Sequence, residues 1–342
     1  GDFPGGLKDV ATENPEVRAA MIDAYARWVE LVDLDGFRID TVKHVEHEFW
    51  QDFLAGIRER LWAQGKRQFL TFGEAFDGRD ALLGSFTVPG ELDSVFYFSQ
   101  KFQVYSDVFE HAHAPDKQRG TRQIEDIWNK RPINWSSTPQ SLGINIAPTK
   151  APINFIDNHD VPRFLFQAAN DVDALRNAMT LLMTEEGIPC LYYGTEQDFS
   201  GGSDPANREV FWTTQFATSG ETFRHFSKLS RIRKTYLALR KGDTHVVYST
   251  SNTGTEDDAG FFAFERGGGD APDRLVIIVM NTNSRHSSRA KVKTSAPAGT
   301  ELIDVLGPSK TTQTVSSAGE VEIELTAQSA KILVPSDQVL KL

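Results

Sequence analysis

Three short stretches place acids where an apolar strand ends. In INFIDNHDVPRF (153–164), Ile153, Phe155 and Ile156 give way to Asp157, Asn158, His159 and Asp160, with no lysine or arginine among those four. In GFRID (36–40), Arg38 and Asp40 lie two residues apart, so both side chains leave the same side of a strand. A guanidinium there keeps the carboxylate ionised and oriented, which suits a nucleophile. In FGEAF (72–76), Glu74 sits between Phe72 and Phe76, an apolar setting that favours a protonated carboxyl and suits a proton donor. Two carboxyls with opposite protonation preferences are what glycoside hydrolysis needs, and retaining enzymes hold them roughly 5–5.5 Å apart. Asp160, with His159 beside it as a donor, supplies a third acid that would stabilise an oxocarbenium-like transition state.

Elements must carry these groups to one place. ENPEVRAAMIDAYARWVEL reads as a helix capped by Asn14 with Pro15 at its first position, and Val17, Met21, Ala24, Trp28 and Leu31 form its buried stripe. Strands follow at 35–40, 68–76, 92–99, 153–160 and 188–196, with helices at 46–62 and 173–183 between them. Such alternation predicts a parallel sheet covered by helices, and the acids Asp40, Glu74, Asp160 and Glu196 fall at the carboxyl ends of its strands. From 241 onward short strand-like runs such as FFAFER, RLVIIVMN and VEIEL alternate with Gly, Ser, Asn and Asp clusters, predicting an antiparallel β domain over 241–342.

The bulk composition narrows the class. The chain has 342 residues and a net charge of −11, which disfavours a nucleic-acid partner and fits a neutral substrate. Cys190 is the only cysteine, so neither a disulfide within the chain nor a cysteine metal site is expected, and an extracellular location needs none. No apolar run approaches the ~18 residues of a membrane span.

Taken together, GFRIDTVKH (36–44), FLTFGEAF (69–76), FIDNHDVPRF (155–164) and GIPCLYYGTEQ (187–197) followed by GGSDPANR (201–208) resemble, in order and spacing, the α-amylase family, glycoside hydrolase family 13. The likeness is greatest to bacterial α-amylases and cyclodextrin glucanotransferases. It implies a fold in the α/β class: the C-terminal part, about five strands, of a (β/α)8 barrel over 1–240, then a C-terminal β-sandwich over 241–342. It also implies Asp40 as nucleophile, Glu74 as general acid/base and Asp160 as the transition-state acid. Arg38, Lys43, His44, His159, Asp204 and Arg208 match sugar-contacting or positioning residues of the family. A Ca2+ ion is implied too, with Asp9 of LKDVA (7–11) and the backbone of His44 among its ligands.

No counterpart is found for the first three barrel strands, and residues 1–12 resemble only the tail of the family's inserted domain. Five strands leave an open edge. The expected partners are therefore an α-glucan and an N-terminal part of the same polypeptide. The expected activity is retaining cleavage of internal α-1,4 bonds. The alternatives are a glucanotransferase, which in this family usually continues into further β domains, and a non-catalytic carbohydrate-binding relative. A barrel enzyme acting on phosphates lacks its Gly-rich loop. Singly, each acid has a structural reading as well: Asp40 in an ion pair with Arg38, Glu74 as a helix cap, Asp160 in a satisfied turn. Tyr192 and Tyr193 read as strand packing, and His47, His111 and His113 as surface residues.

Overall fold

Helix α1 (Pro15–Val32) starts where the sequence places it: Asn14 Oδ1 accepts from the Glu16 amide at 2.9 Å and Pro15 occupies the first turn. The computed structural model describes residues 2–3, 6–307 and 311–341. It divides into two units, one built from residues up to Ser99 with Asn129–Ile153, the other from Gln100–Trp128 and Asn154 onward.

In the first unit, β1 (Asp2–Phe3) and β2 (Leu7–Lys8) form a short antiparallel pair. Three parallel strands follow, β3 (Gly36–Ile39), β4 (Leu70–Gly73) and β5 (Ser94–Val95), in that spatial order. Phe96, just past β5, bridges in parallel to Ile153, the first residue of β6 (Ile153–Phe155). The register sets Ile39 beside Gly73, so the residues after them, Asp40 and Glu74, leave neighbouring strand ends. Gly73 is required there, since a Cβ would lie 2.5 Å from Val42 Cγ2 and 2.7 Å from Leu92 Cδ1. Helix α2 (His47–Ala63) packs on α1 and is tied to the sheet by a buried polar knot. Asp93 Oδ2 there accepts from Thr71 N (2.9 Å), Thr71 Oγ1 (2.8 Å) and Arg58 Nη2 (3.3 Å). Burial lowers the Arg58 pKa, with Asp93 opposing that shift.

One helix face departs from the sequence pattern. α1 buries Ala26 and Val29, while Trp28 and Leu31 of the expected stripe are 58% and 60% exposed, next to exposed Tyr25 and Val32. The helix is apolar around more than one strip, and α2 meets it at Ile22, against Gly56, and at Tyr25, whose ring stands 5.7 Å from that of Phe53. The strands are also shorter than their apolar runs: 68–76 pairs only over Leu70–Gly73, 92–99 over Ser94–Val95. Pairing stops where the backbone turns to deliver side chains.

In the second unit, β6 runs beside β7 (Ile188–Cys190), and the helix Val172–Thr184 is capped by Asp171 through the Ala174 amide. The run after Ser99 is π-helical over Lys101–Phe109, enclosing a buried Lys101–Glu110 pair at 2.6 Å. The C-terminal part is antiparallel throughout. β8 (Asp243–Tyr248), β9 (Phe261–Gly268), β10 (Ala271–Asn281), β12 (Glu301–Asp304), β13 (Thr312–Thr314) and β15 (Ser329–Pro335) make a sheet in the order β13-β12-β15-β10-β9-β8. β11 (Ser288–Lys293) pairs with β14 (Glu320–Leu325), and their inward Val292, Val321, Ile323 and Leu325 share one core with Phe261, Ile277, Val279 and Leu333 of the larger sheet. On the outer face the register sets Arg289, Lys291 and Lys293 opposite Glu324, Glu322 and Glu320, three cross-strand pairs of opposite charge. No helix among the described residues is long and apolar enough to cross a membrane.

Candidate active site

In the first unit, the chain turns sharply after β3. Arg38 Nη1 donates to Asp40 Oδ1, and the Arg38 guanidinium stands 5.7 Å from the centre of the Phe96 ring. Thr41 then adopts φ 53°, a left-handed conformation rare for a β-branched residue. That turn aims its amide at Glu74 Oε2 (3.0 Å), and the Val42 amide reaches the Glu74 carbonyl (2.9 Å). The Glu74 amide in turn donates to the Ile39 carbonyl at 2.7 Å. Asp40 and Glu74 are thus coupled through the backbone between them. Asp40 is largely exposed and held by its arginine, whereas Glu74 is only 7% exposed. A buried carboxyl anchored through Oε2 keeps a second oxygen for proton exchange.

Lys43 Nζ donates to the Phe76 carbonyl and lies 4.0 Å from Asp77 Oδ2, whose carboxyl is held down to about 2 chiefly by its hydrogen bond with Arg79. Asp9, Arg38, Asp40 and His44 line one cleft of about 510 Å³, floored by Phe37, Phe49 and Trp50. Calcium takes six to eight oxygen ligands. Among the described residues no three His, Cys, Asp or Glu side chains gather into a metal cluster.

In the second unit, the four polar residues after β6 divide their work. Asp157 is buried: Thr195 Oγ1 donates to its Oδ1 (2.8 Å), the Phe164 amide donates to Oδ2 (3.1 Å), and burial pushes its carboxyl above the usual range. Asn158 Oδ1 accepts from the Asp160 and Val161 amides (2.8 and 3.1 Å), folding the turn. His159 and Asp160 face outward, with Nε2 to Oδ2 at 3.2 Å. Arg208 Nη2 lies 3.9 Å from Asp160 Oδ1, and Arg208 Nε pairs with Asp204 Oδ1 at 3.0 Å. The cation absent from the 157–160 quartet is therefore supplied from nearly fifty residues downstream.

The structure brings Arg38, Asp40 and Glu74 together in one unit, and His159, Asp160, Asp204 and Arg208 together in the other. Sequence reasoning missed the supports beneath the second group, Asp157, Arg163, Thr195 and Glu209, although Asp157 and Arg163 stand within INFIDNHDVPRF itself. Tyr192 packs its ring 4.0 Å from the Arg163 guanidinium, in keeping with a packing role. His47, His111 and His113 each meet an acid, Glu91 (3.0 Å), Asp107 (3.5 Å) and Asp171 (2.6 Å). Cys190 is half-buried, and burial raises its thiol pKa.

The family model for the alpha amylase catalytic domain matches residues 2–213. The chain belongs to the α-amylase family. It is 30% identical to a protein named alpha-amylase from Streptomyces lividans over 97% of this chain, and it spans 37% of that relative's length. Among solved structures, the alpha-amylase from Geobacillus thermoleovorans in complex with acarbose is similar with a TM-score of 0.80 at 25% identity, covering 97% of this chain and 66% of the other. CldA, described as a cyclomaltodextrin glucanotransferase with a three-domain ABC distribution, shares the fold with a TM-score of 0.74 at 24% identity, over 97% and 62% of the two chains. Membership of glycoside hydrolase family 13 and the barrel-plus-sandwich fold class hold for this chain.

Proposed function

We propose that this chain carries the catalytic acids of a retaining α-glucan hydrolase that cuts internal α-1,4 bonds of starch-like polymers. The observation that supports this most is the pair at the ends of β3 and β4: an exposed aspartate held by arginine beside a buried glutamate. Paired strands run ~4.8 Å apart, a spacing suited to the roughly 5–5.5 Å between carboxyls in retaining enzymes. Asp40 attacks the anomeric carbon while Glu74 passes its proton to the departing glycosidic oxygen. Glu74 then takes a proton from the incoming water, which displaces Asp40 and restores the starting configuration. Arg38 fixes the attacking oxygen. On the sequence resemblance we assign Asp160 the transition-state role, and Lys43, His44, His159, Asp204 and Arg208 contacts to sugar hydroxyls.

A transferase shares every step up to the intermediate and differs in passing it to a sugar hydroxyl, and the fold likeness to CldA keeps that reading alive. Chromatography of products from soluble starch distinguishes them. Linear maltooligosaccharides are expected; cyclic products as the main fraction overturn the hydrolase assignment.

Two further components belong to this reading. The unpaired edge of β3 among the described strands and the exposed Tyr25, Trp28, Leu31 and Val32 of α1 suit an N-terminal part of the same polypeptide packed over them. Calcium would sit where Asp9 and the His44 carbonyl supply two of its oxygens and that segment the rest. One set of melting curves tests both. A longer polypeptide carrying the segment is expected to melt at least about 5 °C above this chain, and EGTA should lower only the former. Equal melting temperatures, or no response to EGTA, remove the corresponding component.

A further inference from the structure

We propose that Arg163 and Glu209 are positioning residues that set the orientation of Asp204 and Arg208 toward the sugar. The proposal rests on the reading of those two side chains as substrate contacts. Asp204 and Arg208 are about half exposed; beyond their own ion pair, Arg208 Nε and Nη2 donate to the His159 carbonyl, both at a long 3.3 Å. An exposed pair of this kind is worth at most about 1 kcal/mol and does not by itself hold two side chains in one geometry.

What lies beneath them is different. The Arg163 side chain is fully buried, with Nε 3.0 Å from Glu209 Oε2, Nη1 donating to the Tyr193 carbonyl at 2.7 Å, and its guanidinium 4.0 Å from the Tyr192 ring centre. The Arg163 amide donates to the Gly201 carbonyl (3.0 Å), and the Gly201 amide donates to Glu209 Oε1. Both ends of the 201–209 loop are therefore pinned to one buried arginine, three residues after Asp160. The loop closes tightly: a Cβ on Gly201 would lie 1.9 Å from the Ala206 carbonyl oxygen. Within it, the Arg208 amide donates to the Pro205 carbonyl (3.1 Å), and Asn207 Nδ2 donates to the Val161 carbonyl (2.9 Å). With its backbone fixed at these points, the loop presents Asp204 and Arg208 in one arrangement, next to His159 and Asp160. A carboxylate that accepts from Nε and from a backbone amide at once is not replaced by a glutamine, whose amide group offers one oxygen and two donors.

The test compares Glu209→Gln, Arg208→Ala and the double variant in the active enzyme, using maltooligosaccharides as substrate. Glu209→Gln is expected to raise KM about tenfold while kcat stays within about threefold, the signature of lost binding rather than lost chemistry. Its melting temperature should stay within about 2 °C. The double variant should be no worse than Arg208→Ala alone, because Glu209 acts through Arg208. A normal KM for Glu209→Gln beside a raised KM for Arg208→Ala overturns the proposal, as do additive effects in the double variant. If Arg208→Ala itself leaves KM unchanged, the assignment of Arg208 as a sugar contact fails instead. Should Glu209→Gln not fold, Arg163→Lys, which keeps the charge and loses the planar fork, is read by the same criteria.

Discussion

Glu74→Gln is expected to lower starch turnover by at least about a thousandfold while leaving the Kd for a maltooligosaccharide within about threefold. The side chain is buried and held by the Thr41 amide through Oε2, and a glutamine oxygen can accept that same bond. The substitution therefore removes the exchangeable proton with little disturbance of the strand end. A nearby water or another acid supplies the leaving group poorly, which is why the loss should be of kcat and not of binding. Calorimetric titration gives the affinity, and release of reducing ends gives the rate. Hydrolysis persisting in Glu74→Gln at more than about a tenth of the parent rate would assign the proton to a different group. Sugar binding by both proteins with no hydrolysis by either would favour the non-catalytic relative.

The two halves of this chemistry were not equally legible. Asn14 followed by Pro15 marked the start of α1 because capping is a local matter, and the strand ends that carry Asp40 and Glu74 were visible because apolar runs stop abruptly at charge. Which face of α1 is covered was not visible. The helix is apolar on several strips, and only tertiary packing decides that Ala26 and Val29 are inside while Trp28 is out. Nor could the sequence reveal that Asp157, the first acid of its quartet, is a buried anchor while Asp160 faces outward. In a turn beyond a strand the alternation of sides no longer applies, and the sorting is done by Thr195 and the Phe164 amide, which pull Asp157 inward. The Arg163–Glu209 bridge is hidden for the same reason: partners forty-six residues apart carry no periodic signal.

Asp40 makes the sharper claim, because it predicts a covalent bond. A glycosyl fluoride with an additional fluorine on the sugar ring slows both chemical steps by disfavouring positive charge, while its good leaving group spares the first. The glycosyl-enzyme should therefore accumulate, and mass spectrometry of a digest should find the added sugar on the peptide that contains Asp40. Asp40→Ala should take no label and lose at least about a thousandfold in kcat. Azide, small enough to occupy the vacated carboxylate space, should restore part of the rate and yield a glycosyl azide of the opposite anomeric configuration, since one displacement replaces two. Arg38 bears on the same outcome: its ion pair with Asp40 orients the attacking oxygen, so Arg38→Lys should slow labelling without moving it to another residue. A label on Asp160, or an inverted configuration in the first product of the parent enzyme, would show that the exposed acid at the end of β3 is not the attacking group, however well its arginine holds it.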